Sequence, residues 1–431
     1  MSEHDDLTRY NLGYVLRETG MQADTLRAWE KRYGVPSPIR SDGGHRLYTH
    51  RDIQTVRWLL KQQKEGLSIS KAVQLLNTML ERGDDPINPM DTIQSAILLE
   101  APAPDQLRAS WIDACRDYDN ARANQTLSIA FANYPIKVVL SEIFQKGLYE
   151  VGDLWYKNEI RVQQEHFASE VVLRQLHALI ASAYAPIRDE KILIVLPAGE
   201  EHEVAALMLA LLLRYAGWDV IYLGTNVPIE KLEDTLQQIK PSLVILSAQR
   251  LTSAASMLDI SRLINLYDIP VAFGGEIFNR IPTLKESIPG FFMGEKVEGS
   301  VTQVESVLTR KINLPSAQSI SDIYKIAHKS FKDYLPAIHS QLRQELARSK
   351  IRSDEIEMYS RYFSENILAA LTLGNMEYAT PEISWFFELI KNHRGKENQL
   401  QEVLIAYQRA VEMQHVDELL PIGTWLSGLK F

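Results

Sequence analysis

Five short apolar runs between residues 191 and 294, KILIVLPA, DVIYLG, PSLVILSA, IPVAFGG and GFFMG, alternate with amphipathic segments. Strand signals separated by helix signals imply a parallel sheet covered by helices on both faces. In such an open sheet, ligands bind beyond the carboxyl ends of the strands, where the strand order reverses. The polar residues at those ends are therefore the first candidates for a site. After the first run comes GEEHEV, with Glu200, Glu201 and His202. The third run ends in Ser247-Ala248-Gln249 and the fourth in Gly274-Gly275. Neither a phosphate-loop pattern nor GxGxxG is present, which counts against a nucleotide. His202-Glu203 does not open a zinc-peptidase helix, because Ala206 stands where the second histidine would be. A lone loop histidine is more often structural than a ligand, so the whole constellation carries the reading.

The chain around this segment is too long, at 431 residues, for one ordinary core. Its 45% apolar and 23% charged composition is that of a globular protein. No apolar run approaches the roughly 20 residues of a membrane helix. The acidic, polar start MSEHDDLTRY argues against a secretory signal. The single cysteine, Cys115, excludes an internal disulfide framework and a Cys-rich zinc site. A cytoplasmic protein without membrane association is expected.

Residues up to about Arg82 read as short helices with a Gly-rich interruption, followed by a linker holding Pro86, Pro89, Pro102 and Pro104. From Asp105 to Tyr184 the pattern is helical, broken near Tyr118, Pro135 and Trp155 to Glu159, enough for a small bundle. From about Ile320 onwards it is helical again, with Thr380-Pro381 as an expected cap. Clustered aromatics there, Trp385, Phe386 and Phe387, read as core.

The net charge of −9 is unfavourable for DNA binding, but the location of the cations matters more than the total. Arg27, Lys31, Arg32, Arg40, Arg46 and Arg51 concentrate within one short segment. Two helices part at Gly20, and the second puts Leu26, Trp29 and Tyr33 on one face with Arg27, Lys31 and Arg32 outward. Gly43-Gly44 permits the positive φ angles of a tight hairpin flanked by Arg40, His45, Arg46 and Tyr48. By composition alone this is equally a small helical domain with a solvated basic face.

The ordered set TLRAWEKRYG, GGHRLY and the helix start at Arg51-Asp52-Ile53, over residues 10 to 77, resembles the MerR family of winged-helix regulators. The resemblance implies that Thr25, Arg27, Arg32, Tyr33, Arg40, His45, Arg46 and Tyr48 contact double-stranded operator DNA, largely its backbone. It also implies paired readers, since one covers only a half-site. Residues 189 to 310 resemble the cobalamin-binding domain of the methionine synthase and mutase type. The pattern reads Glu200-x-His202-x-x-Ala205, Ser247-x-Gln249 and Gly274-Gly275, with YLGTNVP, including Val227, also typical. Ala205 stands where that pattern has Gly, and Gln249 where it has an apolar residue. The resemblance implies that His202 coordinates cobalt, replacing the cofactor's own dimethylbenzimidazole, while Glu200 holds the other ring nitrogen. The displaced tail would thread beside Ser247, Gly274 and Gly275.

Trp155, followed after nine residues by Glu165-His166, resembles the signature of the CarH and CarA group of light-responsive or cobalamin-dependent repressors. That group has the same order of MerR reader, bundle and cobalamin domain. By this resemblance Trp155 packs over the upper face of adenosylcobalamin, or another cobalamin, and Glu165 and His166 help hold the adenosyl group or the bundle. Light sensors of the group carry a histidine close to the Trp as the upper ligand after photolysis, whereas Tyr156 follows Trp155 here.

The expected fold class is a multidomain α and α/β chain: winged helix-turn-helix, four-helix bundle, flavodoxin-like (Rossmann-type) cobalamin-binding domain and all-α C-terminal extension. The expected limits are 1–83, a linker 84–104, then 105–187, 188–312 and 313–431. The expected function is a repressor controlled through its oligomeric state, dimer or tetramer, by adenosylcobalamin and light. A regulator with a degenerate cobalamin fold acting through protein partners, and a corrinoid methyl carrier, stand as alternatives. No acid–base pair or nucleophile marks an enzyme, and no catalytic residue is assigned.

Overall fold

The computed structural model describes residues 10–40, 44–64, 67–81, 102–309, 315 and 319–429. The chain divides into two compact units, residues 1–103 with 129–135, and residues 104–128 with 136–431.

In the first unit, β1 (Tyr10–Asn11) leads into α1 (Leu12–Thr19), which Gly20 ends in the left-handed conformation with φ 70°. Helix α2 (Ala23–Tyr33) follows, then a hairpin of β2 (Ile39–Arg40) and β3 (Arg46–Tyr48). Strand β3 lies between the other two, pairing with both antiparallel. Helices α3 (His50–Lys64) and α4 (Ile69–Glu81) complete the unit. Leu26 and Trp29 from α2 meet Val15, Tyr48, Ile53, Val56, Leu59 and Leu76 in one core, which is why the cationic face of α2 is left outside. Asp52 accepts from the backbone N of Thr49 at 2.8 Å and of Ser37 at 3.1 Å, tying the start of α3 to the approach to the hairpin.

The second unit begins with helices α5 (Pro104–Arg116), α6 (Asn120–Asn133) and α7 (Ile136–Val138). Helix α7 passes through a π-helical stretch, Val139–Gln145, into α8 (Lys146–Tyr156), and α9 (Val162–Ala181) follows. The breaks fall where the sequence places them: Tyr118 and Asn158 adopt positive φ between helices. Trp111, Cys115, Phe144, Val151 and Val172 are buried in this bundle. Burial pushes the Cys115 thiol up to about 12, so it stays protonated. Arg108 fastens α5 to α8 through Glu150 at 2.7 Å.

All five apolar runs contribute strands: β4 (Lys191–Val195), β5 (Asp219–Tyr222), β6 (Leu243–Ser247), β7 (Val271–Gly274) and β8 (Phe291–Phe292). They pair in parallel in the order β5-β4-β6-β7-β8, the flavodoxin-like arrangement. Side chains alternate along each strand. Ile192 and Ile194 pack beneath α10 (Val204–Tyr215) and α14 (Ser300–Thr309), while Leu193 and Val195 face α11 (Leu232–Ile239) and α12 (Leu251–Asn265); the short α13 (Ile277–Arg280) follows β7. The order reverses between β4 and β6, so the loops after these two strands form the switch point.

Helix α12 is buried nearly all round, with Ala254, Met257, Leu258, Ile260, Ser261 and Ile264 inaccessible. Its outer side is covered by α15 (Asp322–Glu345) and α16 (Ser353–Leu373), so one continuous core runs from the sheet into the C-terminal helices. Helices α17 (Ala379–Arg394), α18 (Glu397–Glu412) and α19 (Leu420–Gly428) follow. Phe386 and Phe387 are core, as their clustering suggests. The expected cap at Thr380 is corrected: α17 already starts at Ala379, because the preceding 3₁₀ turn Met376–Tyr378, capped by Asn375, runs directly into it. Thr380 instead accepts from the indole of Trp425 at 2.9 Å. Among the described residues no helix is long and apolar enough to cross a membrane.

Phe363 on α16 sits 1% exposed, its ring roughly perpendicular to that of Tyr407 with centroids 5.6 Å apart. Phe363→Ala therefore costs about 3–5 kcal/mol of folding free energy, measured by urea titration. A loss under about 1 kcal/mol would show that this core is not the one holding the C-terminal helices.

Candidate cofactor and DNA-binding sites

The loop after β4 carries Glu200, whose side chain has no exposed surface. One carboxylate oxygen accepts from the backbone N of His202 at 2.9 Å and lies 2.8 Å from its Nδ1. The other accepts from the backbone N of Gln249 at 2.6 Å and the hydroxyl of Ser253 at 2.7 Å. Burial alone would raise the Glu200 pKa, but these hydrogen bonds outweigh it and hold the group at about 2. An ionised carboxylate only accepts, so Nδ1 of His202 must be the protonated nitrogen. That leaves Nε2 with its lone pair on the opposite edge of a ring whose side chain is 53% exposed. A carboxylate that fixes the tautomer and leaves the far nitrogen open is the arrangement that orients a metal-bound imidazole.

Ser247 ends β6 next to this pair, and Gly274-Gly275 ends β7 opposite it, with Ser247 in register with Gly274. Gly275 adopts φ +126°, and a Cβ there would lie 1.9 Å from the carbonyl oxygen of Ala248, so only glycine fits. At Gly274 an added Cβ would meet nothing within 4 Å, leaving the room a threaded ligand needs. Gln249 reaches across these ends, its amide 3.4 Å from Ser247 Oγ and its Oε1 accepting from the backbone N of Glu276 at 2.9 Å. Val227 pairs with Pro197 at the mouth of the same edge, and Asn226 beside it accepts from Gly199 N at 2.8 Å. The donor set and the open glycine fit a corrinoid with His202 as its lower ligand.

Ser253 and Asn226 are absent from the candidates read off the sequence. A hydroxyl three positions into α12, bonded back to Arg250, was the available signal for Ser253. In the bundle, Glu165 and His166 pair with each other at 2.8 Å, and Ser169 donates to Glu165 at 2.8 Å. The Trp155 ring contacts His393 of α17, with centroids 5.3 Å apart.

In the N-terminal unit Thr25, Arg27 and Arg32 lie exposed along α2, Tyr33 is half-buried, and His45 is exposed beside β3. The side chain of Arg40, together with Gly43, lies outside the described residues. One of the expected DNA contacts takes another role. Tyr48 is fully buried and its hydroxyl donates to Glu30 at 2.6 Å, which corrects its assignment to a phosphate. Burial, reinforced by Glu30, raises its pKa. Arg46 donates to the other oxygen of Glu30 at 2.8 Å, so both residues brace the hairpin against α2.

The ionised Glu200 makes folding pH-dependent. Its folded pKa lies below the ordinary 4.5, so its contribution is complete above about pH 4.5 and is lost as the pH falls towards 2. Urea titrations of the protein without cofactor should show a component on the order of 3 kcal/mol disappearing across that window, and Glu200→Gln should lack it. Identical acid profiles for the two proteins would contradict the assigned charge.

Three family models match the chain. Residues 10–79 match the MerR HTH family regulatory protein, and residues 107–180 and 190–302 each match a B12 binding domain. The chain is 32% identical over 250 residues to the HTH-type transcriptional repressor CarH of Myxococcus xanthus, covering 58% of this chain and 82% of that one. It is 30% identical over 241 residues to the HTH-type transcriptional repressor CarA of the same organism, covering 55% and 75%. The HTH-type transcriptional regulator MlrA of Escherichia coli is 40% identical over 68 residues, 16% of this chain and 28% of that one. With the helix-turn-helix at one end and an imidazole–carboxylate pair at the switch point of a B12-binding sheet, the chain belongs to the MerR-type, cobalamin-domain transcription regulators that include CarH and CarA.

Proposed function

We propose that this chain is a cytoplasmic repressor whose oligomeric state and operator binding respond to adenosylcobalamin and light, rather than an enzyme. The observation that carries the reading is the Glu200–His202 pair, a buried, ionised carboxylate holding a half-exposed imidazole in the tautomer that a metal requires. His202 would hold the cobalt through Nε2, and Ser247, Gly274, Gly275 and Val227 would hold the cofactor's displaced tail. Trp155, Glu165 and His166 of the bundle would hold the group from the other side. Bound adenosylcobalamin would supply a cobalt–carbon bond that light can cleave, and the chain's part is to hold the bundle against the upper face while the bond is intact. Named relatives that are transcriptional repressors support the regulatory class.

The limits proposed for the parts are 1–83 for the reader, 84–104 for the linker, 105–187 for the bundle, 188–312 for the cobalamin domain and 313–431 for the C-terminal helices. Pairing into a dimer or tetramer follows from the need of one small reader for a second half-site. A second reading, a regulator whose cobalamin fold has lost its cofactor, is favoured by one contact alone. Gln249 spans from Ser247 to Glu276, beside the path a tail would take.

Purified protein incubated in darkness with adenosylcobalamin and freed of excess ligand should retain a corrin spectrum. Green light should then reduce its size in gel filtration and release operator DNA. Absence of corrin would sink the cobalamin reading, whereas retained corrin with unchanged size and DNA binding would sink only the light response. His202→Ala should alter the bound spectrum. Arg27→Ala, on the exposed face of α2, should weaken binding to all DNA sequences alike and reduce the slope of log affinity against log salt by about 0.9. A sequence-dependent loss would instead make Arg27 a base reader.

A further inference from the structure

The C-terminal helices enclose a hollow of about 790 Å³, lined only by residues between Ile323 and Leu429. That volume falls within the range of about 300–1,000 Å³ in which proteins hold small molecules. The start of α15 forms one wall, and the start of α17 with the 3₁₀ turn before it forms another. The rest comes from α19 and the 3₁₀ turn Asp417–Leu419 that leads into it. Met376 and Trp425 are the buried, inner part of the lining, whereas Ile323, Ile326 and Leu420 are 65%, 51% and 62% exposed. Exposed aliphatic side chains gathered around a concave surface gain from an apolar body that displaces their water.

The charge of the lining has one sign. Glu377, Asp417 and Glu418 belong to it, no lysine, arginine or histidine does, and none of the three acids forms an ion pair among the described residues. Glu377 is oriented from the inner part of the hollow. The indole N–H of Trp425 donates to Thr380 Oγ1 at 2.9 Å, and the Thr380 hydroxyl donates to Glu377 Oε2 at 3.2 Å. An indole nitrogen only donates, so the direction of this relay is fixed. Tyr324 and Trp425 add aromatic rings, whose π faces attract cations as carboxylates do. Acids alone on a helical surface are ordinary. Here they share a concave apolar surface with aromatic rings, and the complement of that combination is an apolar body carrying a positive charge.

We propose that this hollow binds a small organic cation, an alkyl or aryl ammonium. Its apolar part lies among Ile323, Ile326 and Leu420, and its charge lies against Glu377, Asp417 and Glu418. The C-terminal extension thereby carries a ligand site of its own, built without any residue of the strand ends and independent of whether a corrinoid is bound.

Full-length protein tests this by calorimetric titration at neutral pH with phenylbutylamine, which is cationic there. Phenylbutanol and phenylbutanoate, with the same apolar body, are the neutral and anionic controls. Saturable binding of the amine is expected, about tenfold tighter than that of the alcohol, with none of the acid. The variant Glu377→Gln/Asp417→Asn/Glu418→Gln should bring the amine down to the affinity of the alcohol. Thr424→Phe, at an exposed position of the lining, should abolish amine binding by filling the space. Circular dichroism verifies that each variant is folded, and the carboxamide variant decides the matter where Thr424→Phe is not. Equal affinity for the three probes, no saturable binding of the amine, or an amine affinity that either folded variant leaves unchanged overturns the proposal. So does a dimer of the unaltered protein that Ile323→Ser with Leu420→Ser dissociates in gel filtration, since a second copy would then cover the hollow. Retention of corrin is read separately, so failure here leaves the cobalamin reading standing, and the reverse holds as well.

Discussion

Glu200 sits on the loop after β4 without exposed surface, and four hydrogen bonds from His202, Gln249 and Ser253 converge on its carboxylate. Burying an ion costs several kcal/mol unless its lone pairs are filled, and here they are filled from both sides of the switch point. The same charge therefore does two things. It fastens the loop after β4 to the loop after β6 and the start of α12, and it decides which nitrogen of His202 carries the proton. Without an acceptor-only group at that place, the imidazole would be free to turn or to change tautomer, and the site would lose its orientation.

The second dependence runs outward from α12. Because this helix packs on the sheet with one side and on α15 and α16 with the other, the C-terminal helices share the core of the cobalamin domain. Through α17 they also reach the bundle at Tyr156 and Trp155. A movement of α8 relative to the sheet must break or carry along those contacts. The extension is thus fastened both to the sheet and to the bundle, which an appendage on a linker would not be.

Much of this was legible in the chain. Continuous apolar runs separated by amphipathic segments have few ways to bury themselves other than a covered parallel sheet, and all five became strands. The breaks between bundle helices stood at Tyr118, Pro135 and the segment after Trp155, and Glu200 with His202 could be paired because a single residue separates them. Gly275 was legible as a requirement, though its reason, the approach of the Ala248 carbonyl, was not. Tyr48 was misread because a tyrosine beside a basic hairpin looks like a phosphate contact. Only the core shows that Glu30 has claimed its hydroxyl.

What the sequence determined by itself is what short range and periodicity determine: the alternation that makes the sheet, the cationic face of α2, the imidazole beside its carboxylate. Tertiary structure alone decided the contacts between distant segments. Ser253 reaches Glu200 across 53 residues, and Asn392 reaches Tyr156 across 236. Such pairings leave no spacing to read, since a hydrogen bond between folded elements depends on how their cores close and not on the number of residues between them.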